Sequence, residues 1–547
     1  MSPSADLVLL GRVWTGDAVR RWAHGVALAG DRIVAVGTRD EVLELAGPAT
    51  RVVDAGTRMV LPGFQDSHIH APFAGRNLLH LYLLDTHGRD DYLAAIKAYA
   101  DAHPEREWII GGGWAMEYFP GGTPHKDDLD AIVPDRPVFL FNKDTHGAWV
   151  NSKALEIAGI DDSVADPSDG RYERDEQGRI TGMLHEGAAY TFEDRHVPKP
   201  DLDEWKAAIL GAQAHLHELG ITAWQDAWVT PGTLAAYASL AADDALTARV
   251  VGALWWDRHR GLEQIDDFVA QREAASGGRF HPTTVKIMTD GVLENYTGSL
   301  LAPYCDGCGG HTDNAGLQFI EPEILDGALD RLTGLGFQVH MHTIGDRAVR
   351  LALDAVEKAR AIHGPHDLRH HLAHIQIVQP DDLHRFRELD VVANCQALWA
   401  QSDPQMDVLT VPFLGQDRVD LMYPFGSLLR RGAVLAMGSD WPVSTADPLA
   451  QIEVAVTRVG AEDRSRPPFL PDEAIPLSAA LAGFTSGTAY VNHDERDSGT
   501  LEVGKRADVV VLDRDLFAGD ADDAGPIADA RVELTVANGR VVHDRLG

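Results

Sequence analysis

The chain has 547 residues, with 83 acidic against 48 basic side chains and a formal net charge of -35 at pH 7. Hydrophobic residues make up 45% and charged residues 24%, the proportions of a soluble globular chain, which sets intrinsic disorder aside. The acid excess disfavours phosphate backbones and anionic membrane surfaces as partners; no segment approaches the roughly 18 consecutive apolar residues of a membrane span; and three cysteines cannot build a disulfide framework.

The first residues, MSPSADLVLLGRVWTGD, have neither a basic region nor a long apolar run, so a secretory signal is not expected; with so few cysteines this points to a cytoplasmic setting. Residues 1–60 read as short strands divided by turns, with Gly30-Asp31 as a hairpin signal. The last fifty residues repeat that character in LEVGKRADVVVLDRDLF and RVELTVANGRVVHDR, the latter turning at Asn538-Gly539. Residues 1–60 and 491–547 are therefore expected to form one composite β-sandwich domain from both chain ends. Residues 61–490 alternate short apolar runs with amphipathic stretches, the pattern of an α/β (β/α)8 barrel whose functional groups sit where the strands end. A segment at about 105–200, rich in Gly, Pro and Asp, breaks the rhythm and reads as an insertion near the barrel mouth.

Candidate ligands follow in chain order. His68 and His70 close LPGFQDSHIH at i, i+2, so on a strand both imidazoles share one face and can meet one metal ion. Lys286 lies inside the apolar run VKIM, where an unpaired ammonium is costly to bury; a salt bridge to Asp290 or another acid is its simplest structural explanation. His340 and His342 lie in QVHMH, His374 ends HLAH, and Asp440 ends AVLAMGSD. Each alone reads as a core histidine or a helix-capping acid; together, at successive strand ends, they suggest one shared metal centre. Cys305 and Cys308, with His311 close behind, lack the second ligand pair that a structural zinc requires.

The segments PGFQDSHIH, HGAWVNSKAL, VKIMTDG, VHMHTIGDRAV, LAHIQ, GSDWPV and GTLEVGKRADVVVLD, spread over nearly the whole chain, resemble the amidohydrolase superfamily, in its amidohydrolase-3 branch of N-substituted formamide deformylase and YtcJ-like proteins. The resemblance implies a distorted barrel with a terminal β-sandwich, and a cofactor of one or two divalent ions with zinc foremost. His68, His70 and Asp440 would hold one ion, His342 and His374 a second, and Lys286, carboxylated on its amine, would bridge them. His340 shares its strand face with His342 and reads as a neighbour. Asp440 would be the catalytic acid and base in hydrolysis of a C–N bond of a small amide, N-formyl or N-acyl in type. His146 is the candidate for holding the substrate carbonyl, Trp114 and Tyr304 for lining the pocket, and Glu186 or Asp346 for orienting ligand imidazoles. A homodimer is typical of such relatives; nucleic acid and membrane partners are not expected. The alternatives are a single-metal deaminase, disfavoured because His342 is followed by Thr343-Ile344-Gly345 without the expected glutamate, and a catalytically silent ligand-binding homologue.

Overall fold

A computed structural model describes residues 4–518 and 526–546. The extremes of the expected terminal domain, residues 1–3 and 547, and its stretch 519–525 lie outside the described residues. Among the described residues no helix is long and apolar enough to cross a membrane.

Eight parallel strands build the barrel: Phe64–Ile69, Ile221–Val229, Arg249–Trp255, Phe280–Met288, Gln338–Thr343, His371–His374, Val392–Cys395 and Leu435–Met437. Helices return the chain between most of them. That of Asp346–His363 buries Ala348, Val349, Ala352, Leu353, Ala355, Val356 and Ala359 at three- and four-residue spacing, the stripe that packs a helix on a sheet, and it stops before Gly364 at φ 74°. On the fifth barrel strand Val339 and Met341 face this apolar layer, while Gln338, His340 and His342 turn inward.

The barrel interior is therefore polar. Gln65, Ser67, Gln225, Thr284, Gln338, His340, His371 and Asn394 are all buried there. They bond to one another: Ser67 Oγ donates to Asn394 Oδ1 at 2.9 Å, Thr284 Oγ1 to Gln338 Oε1 at 2.8 Å, and Asn394 Nδ2 to His371 Nδ1 at 3.0 Å. Such a network is tolerable only when its members are satisfied, and it then specifies one packing.

The first and eighth strands meet through backbone bonds just beyond the eighth. Asp440 N donates to His68 O at 2.7 Å, and His70 N donates to Trp441 O at 2.9 Å. Asp66 accepts both His68 N and Ser439 N, tying the same two segments. Gly438 permits this approach: a Cβ there would lie 2.5 Å from His68 N and 2.7 Å from His68 Cβ.

Outside the barrel, one seven-stranded sheet combines strands from both chain ends. Its long central strand Ala46–Pro62 pairs parallel with Ala5–Trp14 and antiparallel with Val509–Leu512. Leu9, Val26, Val60, Val509 and Val536 share one core there. The hairpins turn where the sequence indicated: Gly30 has φ 55°, and Asn538 and Gly539 have φ 48° and 76°, the pair of positive values that a type I′ turn demands. A six-stranded sheet running from Leu81–Tyr82 to Ile180–Glu186 forms the insertion. It begins before the expected residue 105, because the Gly-rich run Ile109–Trp114 pairs with Leu81–Tyr82.

Since no side chain fits between Gly438 and His68, Gly438→Ala is expected to lower the free energy of unfolding by about 1–3 kcal/mol, read from denaturant midpoints. An unchanged midpoint would show that the seam has slack.

Candidate metal centre

The seam that joins the first and eighth strands also assembles the site. Asp440 Oδ1 lies 3.1 Å from His68 Nε2 and 2.9 Å from His70 Nε2. Among the described residues these three form the one group of at least three His, Cys, Asp or Glu whose ligand atoms all fall within 4.8 Å of one another. The His374 ring bridges to a second pair, its centroid 4.7 Å from that of His68 and 4.5 Å from that of His342. Lys286 borders the same cavity as these five residues.

Two of these positions adopt left-handed backbone, His374 at φ 75° and Asp440 at φ 56°, a conformation that costs a residue with a Cβ about 1–3 kcal/mol. Neighbours hold each in place: Gln396 Oε1 accepts His374 N at 2.9 Å, and the seam bond to His68 O holds Asp440. The turn at each strand end aims the side chain inward rather than along the pleat. The imidazole of His374 then stacks on Trp399, centroids 5.2 Å apart at 17°.

The donor set fits a divalent cation. His68 Nε2, His70 Nδ1, His374 Nδ1 and Asp440 Oδ1 are buried without a hydrogen-bond partner, although buried polar atoms are rarely left so. Burial, aided by Lys286, pushes the His68 imidazole down to about 3. Burial likewise holds His342 and His374 well below the usual imidazole range. Burial works against the Asp440 charge, but contact with His68 and His70 outweighs it and keeps the carboxyl well below its usual range. Neutral imidazoles beside a carboxylate are what a first-row divalent metal binds.

Lys286 is buried, and burial lowers its amine to about 7, with Asp440 pulling partly the other way. Asp290 is not its partner. Asp290 is occupied elsewhere, accepting His342 Nδ1 at 3.0 Å and the amides of Ser299, Ile344 and Gly345 at 2.8–3.1 Å. Asp290 is thus the acid that orients His342. Asp346, one of the two acids expected to orient ligand imidazoles, accepts Leu301 N and Gln379 Nε2 instead and opens its helix.

The insertion supplies the opposite wall. His146 lies between its strands Val138–Asn142 and Gly147–Val150, and Glu186 ends Ile180–Glu186. His146 Nδ1 is 2.9 Å from Glu186 Oε2, and Thr297 Oγ1 donates to Glu186 Oε1 at 2.7 Å. Burial opposes charge on His146, yet Glu186 raises the imidazole to about 9. The ring borders the metal-site cavity, 5.5 Å from that of His342.

Trp114 and Tyr304 do not reach this cavity. Trp114 packs on Trp149 and Phe119 in the insertion core and donates to Leu140 O; Tyr304 packs on Tyr296 and donates to Gly298 O. The aromatic wall consists of Tyr190, Trp228, Trp255 and Trp399, none of which the motifs had singled out. Trp228 stacks on Trp255 and on Phe73, with centroids 4.9 and 4.8 Å apart. The cavity beside the ligands holds about 50 Å3, and past Tyr190, Trp228 and Trp255 lies a cleft of about 1000 Å3. Cys305 and Cys308 remain on a loop, Cys305 Sγ 4.0 Å from His311 Nδ1.

Comparison with known proteins agrees with this arrangement. Residues 51–543 match the model of the amidohydrolase family. Protein LONG AFTER FAR-RED 3 of Arabidopsis thaliana is 30% identical over 93% of this chain and 87% of its own length. The N-substituted formamide deformylase of Arthrobacter pascens is 27% identical over the full length of both chains. The crystal structure of an uncharacterized metal-dependent hydrolase from Pyrococcus furiosus superposes with a TM-score of 0.70 at 27% identity, covering 93% of this chain and 99% of that one. The chain belongs to the amidohydrolase family.

Proposed function

We propose that this chain is a metal-dependent hydrolase that cleaves the C–N bond of a small N-formyl or N-acyl amide. The observation that carries the reading is the convergence of His68, His70 and Asp440 around a buried carboxylate oxygen without a hydrogen-bond partner. His342, His374 and Lys286 complete the ligand set. Zinc is the first candidate, as one or two ions that a carboxylated Lys286 would help to hold. A neutral amine is what adds to carbon dioxide, forming an N–C bond and releasing a proton, and a lysine lowered to about 7 supplies it near neutral pH. The resulting carbamate replaces a costly buried cation with an anionic oxygen ligand.

Divalent ions held there would supply Lewis acidity, making water a better nucleophile and polarising a carbonyl. Asp440 accepts the attacking water's proton at Oδ2, leaving Oδ1 between the two imidazoles. It returns that proton to the nitrogen as the C–N bond breaks, so that the amine leaves neutral. His146, with Nδ1 committed to Glu186, presents Nε2–H to the carbonyl oxygen as negative charge grows on it. Tyr190, Trp228 and Trp255 receive an apolar or aromatic group next to the scissile bond and exclude water.

The Asp440→Asn variant is expected to retain metal, measured by elemental analysis, while turnover of N-formyl and N-acyl amines falls roughly 100- to 10,000-fold. Near-full turnover would remove Asp440 from the mechanism, and a wild-type protein that takes up no metal would remove the reading itself. His146 donates only while protonated, so kcat/KM should fall as pH rises through about 9. The alkaline limb should vanish in His146→Gln; its persistence there would assign the limb to another group. Protein prepared without carbon dioxide should bind less metal and recover on addition of bicarbonate. Bicarbonate-independent loading would mean that Lys286 is not carboxylated.

A further inference from the structure

The buried side chains beneath the metal centre form a directional series of hydrogen bonds whose polarity is set by backbone carbonyls far from the site. Gln338 Nε2 lies 2.9 Å from Arg369 O and 2.7 Å from Val491 O. A carbonyl oxygen only accepts, so the amide nitrogen must face these two atoms, and Gln338 Oε1 must face the other way. There it accepts Thr284 Oγ1 at 2.8 Å and Gln225 Nε2 at 3.1 Å. With Gln225 Nε2 committed as a donor, also to Asn492 Oδ1 at 2.9 Å, Gln225 Oε1 is left as an acceptor. Its partner at 2.7 Å is His340 Nδ1, which must therefore carry a hydrogen.

From there the order passes through two imidazoles. A neutral His340 protonated on Nδ1 has a bare Nε2, and that atom lies 2.8 Å from His68 Nδ1. His68 must then donate from Nδ1, which leaves the lone pair of His68 Nε2 exposed. That atom faces Asp440 Oδ1 at 3.1 Å, and neither has a hydrogen-bond partner. Two lone pairs held face to face repel unless a cation lies between them.

We propose that His340 and Gln225 are positioning residues that lock His68 in its Nδ1–H tautomer, so that Nε2 is permanently presented as a metal ligand. Neither residue touches the ion or the substrate. His340 earns its place on the inward face by carrying polarity from an amide to an imidazole. Gln225, Gln338, His340 and His68 are all buried. Removing the acceptor at 225 frees His340 to flip its tautomer, and His68 then spends part of its population with Nε2 protonated and unable to bind.

This inference rests on the metal reading above, and the test separates the two. Zinc affinity of the full-length protein is measured by competition with a chromophoric chelator, with elemental analysis for stoichiometry and thermal unfolding of the metal-free protein as a control for folding. Gln225→Leu, of similar volume but with no acceptor, should lose about 10- to 100-fold in affinity for the ion at His68, the range typical of residues behind a ligand. Gln225→Glu keeps an oxygen opposite His340 Nδ1 and should recover most of that loss, which a purely structural role for the site would not predict. Equal affinities for wild type and Gln225→Leu would overturn the tautomer lock while leaving the metal site intact. Absence of metal binding by the wild type would instead overturn the reading beneath it. Should the leucine variant not fold, neutron diffraction from wild-type crystals decides: deuterons on Nδ1 of both His68 and His340 support the proposal, and a deuteron on His340 Nε2 refutes it.

Discussion

The two backbone hydrogen bonds between residues 68–70 and 440–441 are the constraint on which the rest of the molecule depends. They join the first and eighth strands at the rim, and three of the four residues they join, His68, His70 and Asp440, are the proposed ligands. Barrel closure and assembly of the proposed metal site are therefore one event. A chain in which the eighth strand has not docked has His68 and His70 but no Asp440 beside them. The left-handed turn at Asp440 is tolerated because the seam gains backbone hydrogen bonds at the point where the conformational cost is incurred.

The polar interior has the same logic one layer deeper. A barrel core filled with branched aliphatic residues would be the simpler solution. Here the apolar layer lies outside the strands, against the helices, and the inside is filled by amides, hydroxyls and imidazoles, most of them hydrogen-bonded to one another. Each unmatched group in such a place costs about 1–3 kcal/mol, so the network has few alternative arrangements. That rigidity restricts the rotamers of the proposed ligand groups at the rim.

Most of the barrel was legible in the sequence because its strands are short apolar runs and its helices carry clear apolar stripes. The inward-facing polar groups were legible because a charged or imidazole side chain inside such a run demands an explanation. Three kinds of information were not. Left-handed backbone at His374 and Asp440 leaves no compositional trace when the residue is not glycine. The partner of a buried acid depends on which strand lies beside it, so the sequence offered Asp290 only as a possible partner of Lys286, whereas it holds His342. Aromatic residues next to glycines are spelled alike in a pocket and in a core: Trp114 and Tyr304 belong to cores, whereas Trp228 and Trp255 line the site from strands whose sequence carries no motif. The insertion began earlier than its glycine content indicated because its first strand, Leu81–Tyr82, is only two residues long.

That insertion divides the site between two sheets. The proposed metal ligands come from the barrel, whereas His146 and Tyr190, which border the same cavity, and Glu186 behind His146 come from the segment spliced between the first and second barrel strands. One wall of the cavity is thus carried on a separate element of the fold. A change confined to the insertion can reshape that wall while leaving the barrel residues opposite it where they are.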